Sequence, residues 1–170
     1  MASLPTVDEA SIRSYVSSKF EGVDVEVGSL EAGSPEISWG DTFFIHDPER
    51  NLEGARRFPF ATIVTKDYGH FDNASNLNRP GVFRMNIGVS KQTYESLFSN
   101  DAIHNFTALD VLMPHPVYGP NHWVCVLNPS EATFHSLEPL LAEAHEIAVR
   151  RNRPRKQATG RSDQEANPTS

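Results

Sequence analysis

Apolar and polar positions along the chain follow two periods, and those periods place most of its elements. Ile12, Tyr15, Val16 and Phe20 recur at helical spacing. With Thr6 and Glu9 forming an apparent capping box, they predict an amphipathic helix over roughly residues 7–20, ended by Gly22. Val23-Asp24-Val25-Glu26-Val27 alternates strictly, which predicts a strand with three valines on one face and two carboxylates in water. Residues 28–40 read as a turn region punctuated by Gly33-Ser34-Pro35. Thr42 to His46 predicts a second strand, and its continuous apolar run leaves the facing open. A charged loop over 47–57 separates it from a third, Phe60 to Thr65, rich in β-branched residues.

The strand from Val82 to Val89 is the clearest element. Phe83, Met85, Ile87 and Val89 point one way; Val82, Arg84, Asn86 and Gly88 point the other. Ser90 then caps a short helix whose Tyr94, Leu97 and Phe98 share a face. A further helical turn or two is expected around Phe106 to Leu109, followed by Pro114 to Pro120, stiff and non-helical. His122 to Leu127 is the fifth strand. Asn128-Pro129-Ser130-Glu131 signals a helix start with proline at the first helical position. Pro139 reads as the start of another segment, with Leu140, Leu141, Ala144, Ile147 and Ala148 as its buried stripe. The sum is an α+β protein: a single two-layer domain over 5–150, with a mostly antiparallel five-stranded sheet covered by helices. Residues 151–170 are expected to be a disordered basic tail, because they hold no large apolar residue to anchor them.

Composition narrows the partners. The 170 residues can bury a core without disulfides or structural metal. The single cysteine, Cys125, excludes an intrachain disulfide and any CxxC motif. No apolar run approaches the ~18–20 residues of a membrane span. The opening MASLPTVDEA has neither the basic start nor the apolar stretch of a signal peptide, so a cytoplasmic location without membrane contact is the expectation. The formal charge is −7, from 15 basic and 22 acidic residues. Residues 150–170 carry six basic and two acidic side chains, which leaves nine against 20 in 1–149, a body at −11. Phosphate backbones need a basic footprint, so nucleic acid is not expected on the body and only weakly on the tail.

The blocks VTKDY, NxxRPGVFRxNIG, PHPVY and WVCVLNP resemble the signature of an uncharacterised family of small, mostly bacterial proteins of unknown function, over roughly residues 5–150. The order of elements and the tryptophan-bearing strand are also similar, more distantly, to the MmcQ/YjbR-like domains. That second resemblance implies a frataxin-like α+β fold and, in some members, DNA binding, which the acidic body opposes.

Catalytic motifs are absent: the chain has no GxSxG, HExxH, P-loop or GxGxxG. The seven histidines lack metal-ligand spacing, and neither a metal nor a cofactor is expected. Cys125 lies in an apolar strand, where a thiol acts as a small hydrophobe rather than a nucleophile. The polar candidates are dispersed. Lys66, Asp67 and Tyr68 leave the third strand, Asn76 and Arg79 close the following loop, and Arg84 and Asn86 share the polar face of the fourth strand. If that face is covered, Arg84 must have a partner: a ligand carboxylate or phosphate, or a loop carboxylate such as Asp67 or Asp72. His115, Tyr118, His122 and Trp123 sit on or beside the proline-stiffened turn and could wall a small-molecule pocket.

These residues point to a protein that binds a small polar or anionic ligand, or a protein partner. An alternative is a small esterase-like hydrolase with His115 or His122 as base and Asp110 or Asp67 orienting it. A third reading is a DNA-binding regulator. Sequence names no substrate and decides no oligomeric state.

Overall fold

The computed structural model describes residues 6–153. Three helices and six strands make one α+β unit: α1 Glu9–Lys19, β1 Val23–Val27, β2 Thr42–His46, β3 Ala61–Val64, β4 Arg84–Gly88, α2 Lys91–Leu97, β5 Met113–Pro114, β6 Trp123–Leu127 and α3 Glu131–Arg151. All neighbouring strands are antiparallel, in the order β1-β2-β3-β4-β6-β5. The sheet therefore has six strands, not five. The addition, β5, is two residues long and contains Pro114, which lacks an N–H and so fits only an edge. No period could announce so short a strand.

Period-2 alternation sorts the sheet into two faces. On one, Phe44, Ala61, Ile63, Met85, Ile87, Val124 and Val126 meet Ile12 and Val16 of α1 and Phe134, Leu137, Leu141, Ala144 and Ala148 of α3. This is the main core. On the other, cross-strand partners Val64–Arg84–Leu127 and Thr62–Asn86–Cys125 lie side by side. A second, smaller cluster forms there from Val64, Leu77, Met113, Cys125 and Leu127. Helices cover the first face; the loop between β3 and β4 and the segment around β5 partly cover the second.

Several local readings change. Asp8, not Thr6, caps α1, its Oδ1 accepting from Ser11 N at 2.8 Å, while Thr6 bridges to Ser130. Those hydrogen bonds from Ser11 hold the Asp8 carboxyl below its usual range. Ser130 is the N-cap of α3, accepting from Thr133 N, so Pro129 precedes the helix rather than opening it. Pro139 lies inside α3 instead of starting a new helix. Phe106 to Leu109 forms turns without a helix. Asp24 and Glu26 are not simply in water: Arg57 reaches both, at 2.6 and 3.0 Å, and Arg50 adds a contact to Asp24 at 2.9 Å. Most of the expected basic tail, from residue 154 onward, lies outside the described residues. At its start Arg151 still belongs to α3, and Asn152 Nδ2 donates to the His46 carbonyl at 2.8 Å.

Candidate functional site

Arg84 is the centre of the second face. Alternation in β4 turns it away from the helices, and the loop after β3 folds over it until it is 1% exposed. A buried guanidinium requires acceptors, and the loop supplies them. Arg84 Nη1 and Nη2 fork onto Asp72 at 3.0 and 2.6 Å, Nη1 also donates to Ser75 Oγ at 3.0 Å, and Nε donates to Asn86 Oδ1 at 2.8 Å. Asn86 Nδ2 in turn donates to Thr62 Oγ1, one strand over, at 2.9 Å. Of the two carboxylates that sequence offered as partners for Arg84, Asp72 is the one used.

The loop is held over the sheet by its own polar residues. Tyr68 N donates to the Asp72 carbonyl at 2.9 Å, and the Tyr68 hydroxyl donates to the buried Asp41 carboxylate. Burial, then that bond to Asp41, pushes the Tyr68 phenol well above its ordinary pKa. Asp67 Oδ1 accepts from Leu77 N at 2.8 Å, which pins the loop's return. Lys66 Nζ bonds the Trp39 carbonyl and stands 3.5 Å from Asp41. Arg79 donates to the carbonyls of Asn76, Ser75 and Thr107, and Asn76 takes the left-handed turn (φ 51°) that brings its carbonyl round. Arg79 is thus spent on loop carbonyls and does not line the cleft that holds Arg84.

His115 closes the opposite side. β5 pairs with β6, and His115 N continues that pairing to the Trp123 carbonyl at 2.9 Å, which carries the ring inward. Its Nδ1 accepts from Val117 N and Tyr118 N at 3.0 and 2.9 Å, and its Nε2 lies 3.0 Å from Arg84 Nη2. Burial, reinforced by the Arg84 guanidinium and opposed by Asp72, drives its pKa down to about 3. The imidazole is neutral at physiological pH, and its Nδ1 lone pair belongs to the backbone. Nothing here orients it as a base. The closest carboxylate oxygen, Asp72 Oδ2, is 3.9 Å away and already forked by Arg84. Asp110 Oδ1 accepts from the N–H of Ser130, the N-cap of α3, at 2.7 Å, and Asp67 serves the loop. The Cys125 thiol is fully buried, and burial pushes its pKa up to about 12.

Above this floor opens a cleft of about 460 Å3. Thr62, Arg84, Asn86, Asp72 and His115 line its base. Phe43, Phe58 and Trp123 wall it, as do Tyr68, Phe71 and Tyr118. Phe71 from the loop and Tyr118 from the proline-rich turn meet edge to face, with centroids 6.0 Å apart, and join the two coverings. Gly88 matters here: a Cβ on it would stand 3.0 Å from the Trp123 ring, so its bare backbone lets the indole lie across the sheet.

Of the sequence candidates, the cleft gathers Tyr68, Arg84, Asn86, His115 and Tyr118. Lys66, Asp67, Asn76 and Arg79 support the loop from outside it. His122, in a left-handed turn (φ 69°), packs its ring on Tyr94 at 5.6 Å and does not line the cleft. Sequence reasoning missed Phe43, Phe58, Thr62 and Phe71. The register Thr62–Asn86 would have flagged Thr62 once the strands were paired. The three phenylalanines come from separate segments that no local period connects.

Comparison with known proteins agrees with the resemblance of the sequence blocks. A family model described as a family of unknown function, DUF6194, matches residues 7–157. The chain belongs to that family. No curated protein and no solved structure matches it, and the likeness to MmcQ/YjbR-like domains has no counterpart among the matches. Among the described residues, no helix is long and apolar enough to cross a membrane, and no group of three or more His, Cys, Asp or Glu is placed to hold a metal.

Proposed function

We propose that this DUF6194 protein is a binding module that holds a small, neutral, largely apolar molecule in the cleft over β3, β4 and β6. The observation that carries this reading is an aromatic-walled cleft set over a charge pair that neutralises itself. Pockets of ~300–1,000 Å3 with apolar walls and few polar groups are the usual form of small-molecule sites. An anion is less well served. The Arg84 guanidinium is matched to Asp72, Arg79 and Lys66 lie outside, and the body carries a net negative charge. The esterase reading lacks an oriented base among the described residues, and the Thr62 hydroxyl of the cleft stands beside an amide donor, Asn86 Nδ2, rather than a base.

The rim also speaks for an occupant: Phe71 is 62% exposed and Phe58 49%, a poor arrangement for a surface meant only for water. The test is titration of the full chain with N-phenyl-1-naphthylamine, a neutral probe that fluoresces on leaving water. Saturable binding at micromolar concentration is expected, weakened roughly tenfold by Phe71→Ala, about 1.4 kcal/mol. Unsaturable binding, or equal affinity in the variant, would remove the cleft from consideration and leave the exposed rings to a protein partner.

A further inference from the structure

Each acceptor atom on the cleft floor already takes a hydrogen bond from the protein, whereas several donor protons make none. Asp72 takes both terminal nitrogens of Arg84, Asn86 Oδ1 takes Arg84 Nε, and Thr62 Oγ1 takes Asn86 Nδ2. Against these, the Thr62 hydroxyl proton has no acceptor among the described residues, and Asn86 Nδ2 keeps a second proton beyond the one given to Thr62. Trp123 lines the wall, and its Nε1 likewise finds no acceptor among the described residues, whereas Trp39 Nε1 bonds the Ser34 carbonyl.

His115 sharpens the imbalance. A neutral imidazole offers one lone pair and one proton. Backbone N–H groups of Val117 and Tyr118 point at Nδ1, so the lone pair lies there and the proton lies on Nε2. Yet Nε2 faces Arg84 Nη2 at 3.0 Å, and a guanidinium can only donate. Two donors thus meet, and the nearest carboxylate oxygen, Asp72 Oδ2, is bonded to Arg84 and stands 3.9 Å from Nε2, too far to accept from it. Water satisfies such groups in an empty cleft; an occupant that expels the water must bring an acceptor of its own.

The walls set the rest of the ligand. Aromatic rings on both sides of a sheet-floored cleft favour a flat partner that can stack or meet them edge-on. A cation would face Arg84 and the His115 N–H. An anion would bring a charge that the Arg84–Asp72 pair does not need and the acidic body repels. Building on the cleft reading, we infer that the ligand is a planar, neutral, fused-ring aromatic whose polar group is a carbonyl-type acceptor: an aromatic ketone or quinone class of molecule.

Three probes of one shape separate this inference from the reading beneath it. Fluorene has no polar group, 9-fluorenone adds a carbonyl acceptor, and fluorene-9-carboxylate adds a charge. Titrated calorimetrically into the full chain, 9-fluorenone is expected to bind about tenfold tighter than fluorene, and the carboxylate no tighter than fluorene. Thr62→Val keeps the shape and removes the hydroxyl proton; it should leave fluorene affinity unchanged and cut the preference for 9-fluorenone to within about twofold. If that variant does not fold, Trp123→Phe, which keeps a ring and removes the N–H, should reduce the same preference. Fluorene binding as tightly as 9-fluorenone would overturn the acceptor inference while leaving the cleft a binding site. So would a preference untouched in both variants. Failure of all three probes to bind would end both.

Discussion

Arg84 heads the fully buried side chains by volume, an unusual rank for a charged residue. It holds that place because acceptors meet four of its five N–H groups and the remaining one is turned toward His115. Such a pair need not stabilise the fold relative to an apolar one, but breaking it strands the partner. Arg84→Met leaves the Asp72 carboxylate beneath the loop with no cation, and the unfolding free energy measured in denaturant should fall by about 3 kcal/mol or more. The loop holding Tyr68, Phe71 and Asp72 should loosen with it, so the aromatic probe should bind less well. A loss under about 1 kcal/mol would show that Asp72 reaches water easily and that Arg84 does not hold the loop.

Pro139 shows what an element can tolerate. It is exposed in the middle of α3, the longest helix described, where it removes one backbone hydrogen bond and crowds the carbonyl of His135. Pro139→Ala should raise stability by roughly 1–3 kcal/mol, read as a higher denaturant midpoint with unchanged slope. No gain would mean that the helix bends there for a reason of packing. The same residue marks where sequence was legible and where it was not. Strict alternation found β1 and β4, and helical spacing found the buried stripe Leu141, Ala144 and Ala148 of α3. Proline, read by its local preference, suggested a boundary that the packing of Leu137 and Leu141 on the sheet overrides. In β4 alternation also put Arg84 and Asn86 on the face away from the helices, so the base of the cleft was legible. Its walls were legible only in part: Tyr118 and Trp123 could be read from the proline-stiffened turn, whereas Phe43, Phe58 and Phe71 join them only because β2, β3, β4 and β6 pair in one register and the loop folds back over them.

At the scale of the whole molecule the two sheet faces divide the labour, one an apolar core under helices and the other a polar floor under loops, and the second makes global stability sensitive to acid. His115 is 4% exposed, and its pKa in the fold is about 3, lowered first by burial and then by Arg84. In the unfolded chain it titrates near about 6.5. As pH falls below that value, the unfolded state binds a proton that the folded state refuses, so stability declines until pH approaches the folded value. The slope is up to about 1.4 kcal/mol per pH unit and half that at the unfolded pKa, roughly 1.6 kcal/mol between pH 6.5 and pH 5. His46, whose pKa is also lowered, by burial first and then by the neighbouring His145, acts in the same sense. His115→Asn is the discriminating variant, because an amide oxygen can still accept from Val117 N and Tyr118 N but cannot titrate. Its stability at pH 7 should be somewhat below that of the native chain, and its decline from pH 6.5 to 4.5 shallower by close to one proton. Denaturant unfolding at several pH values measures both. Parallel profiles for the two proteins would mean that His115 takes up its proton in the folded state, which would require Asp72 to shift from Arg84 toward the imidazole and open the floor of the cleft.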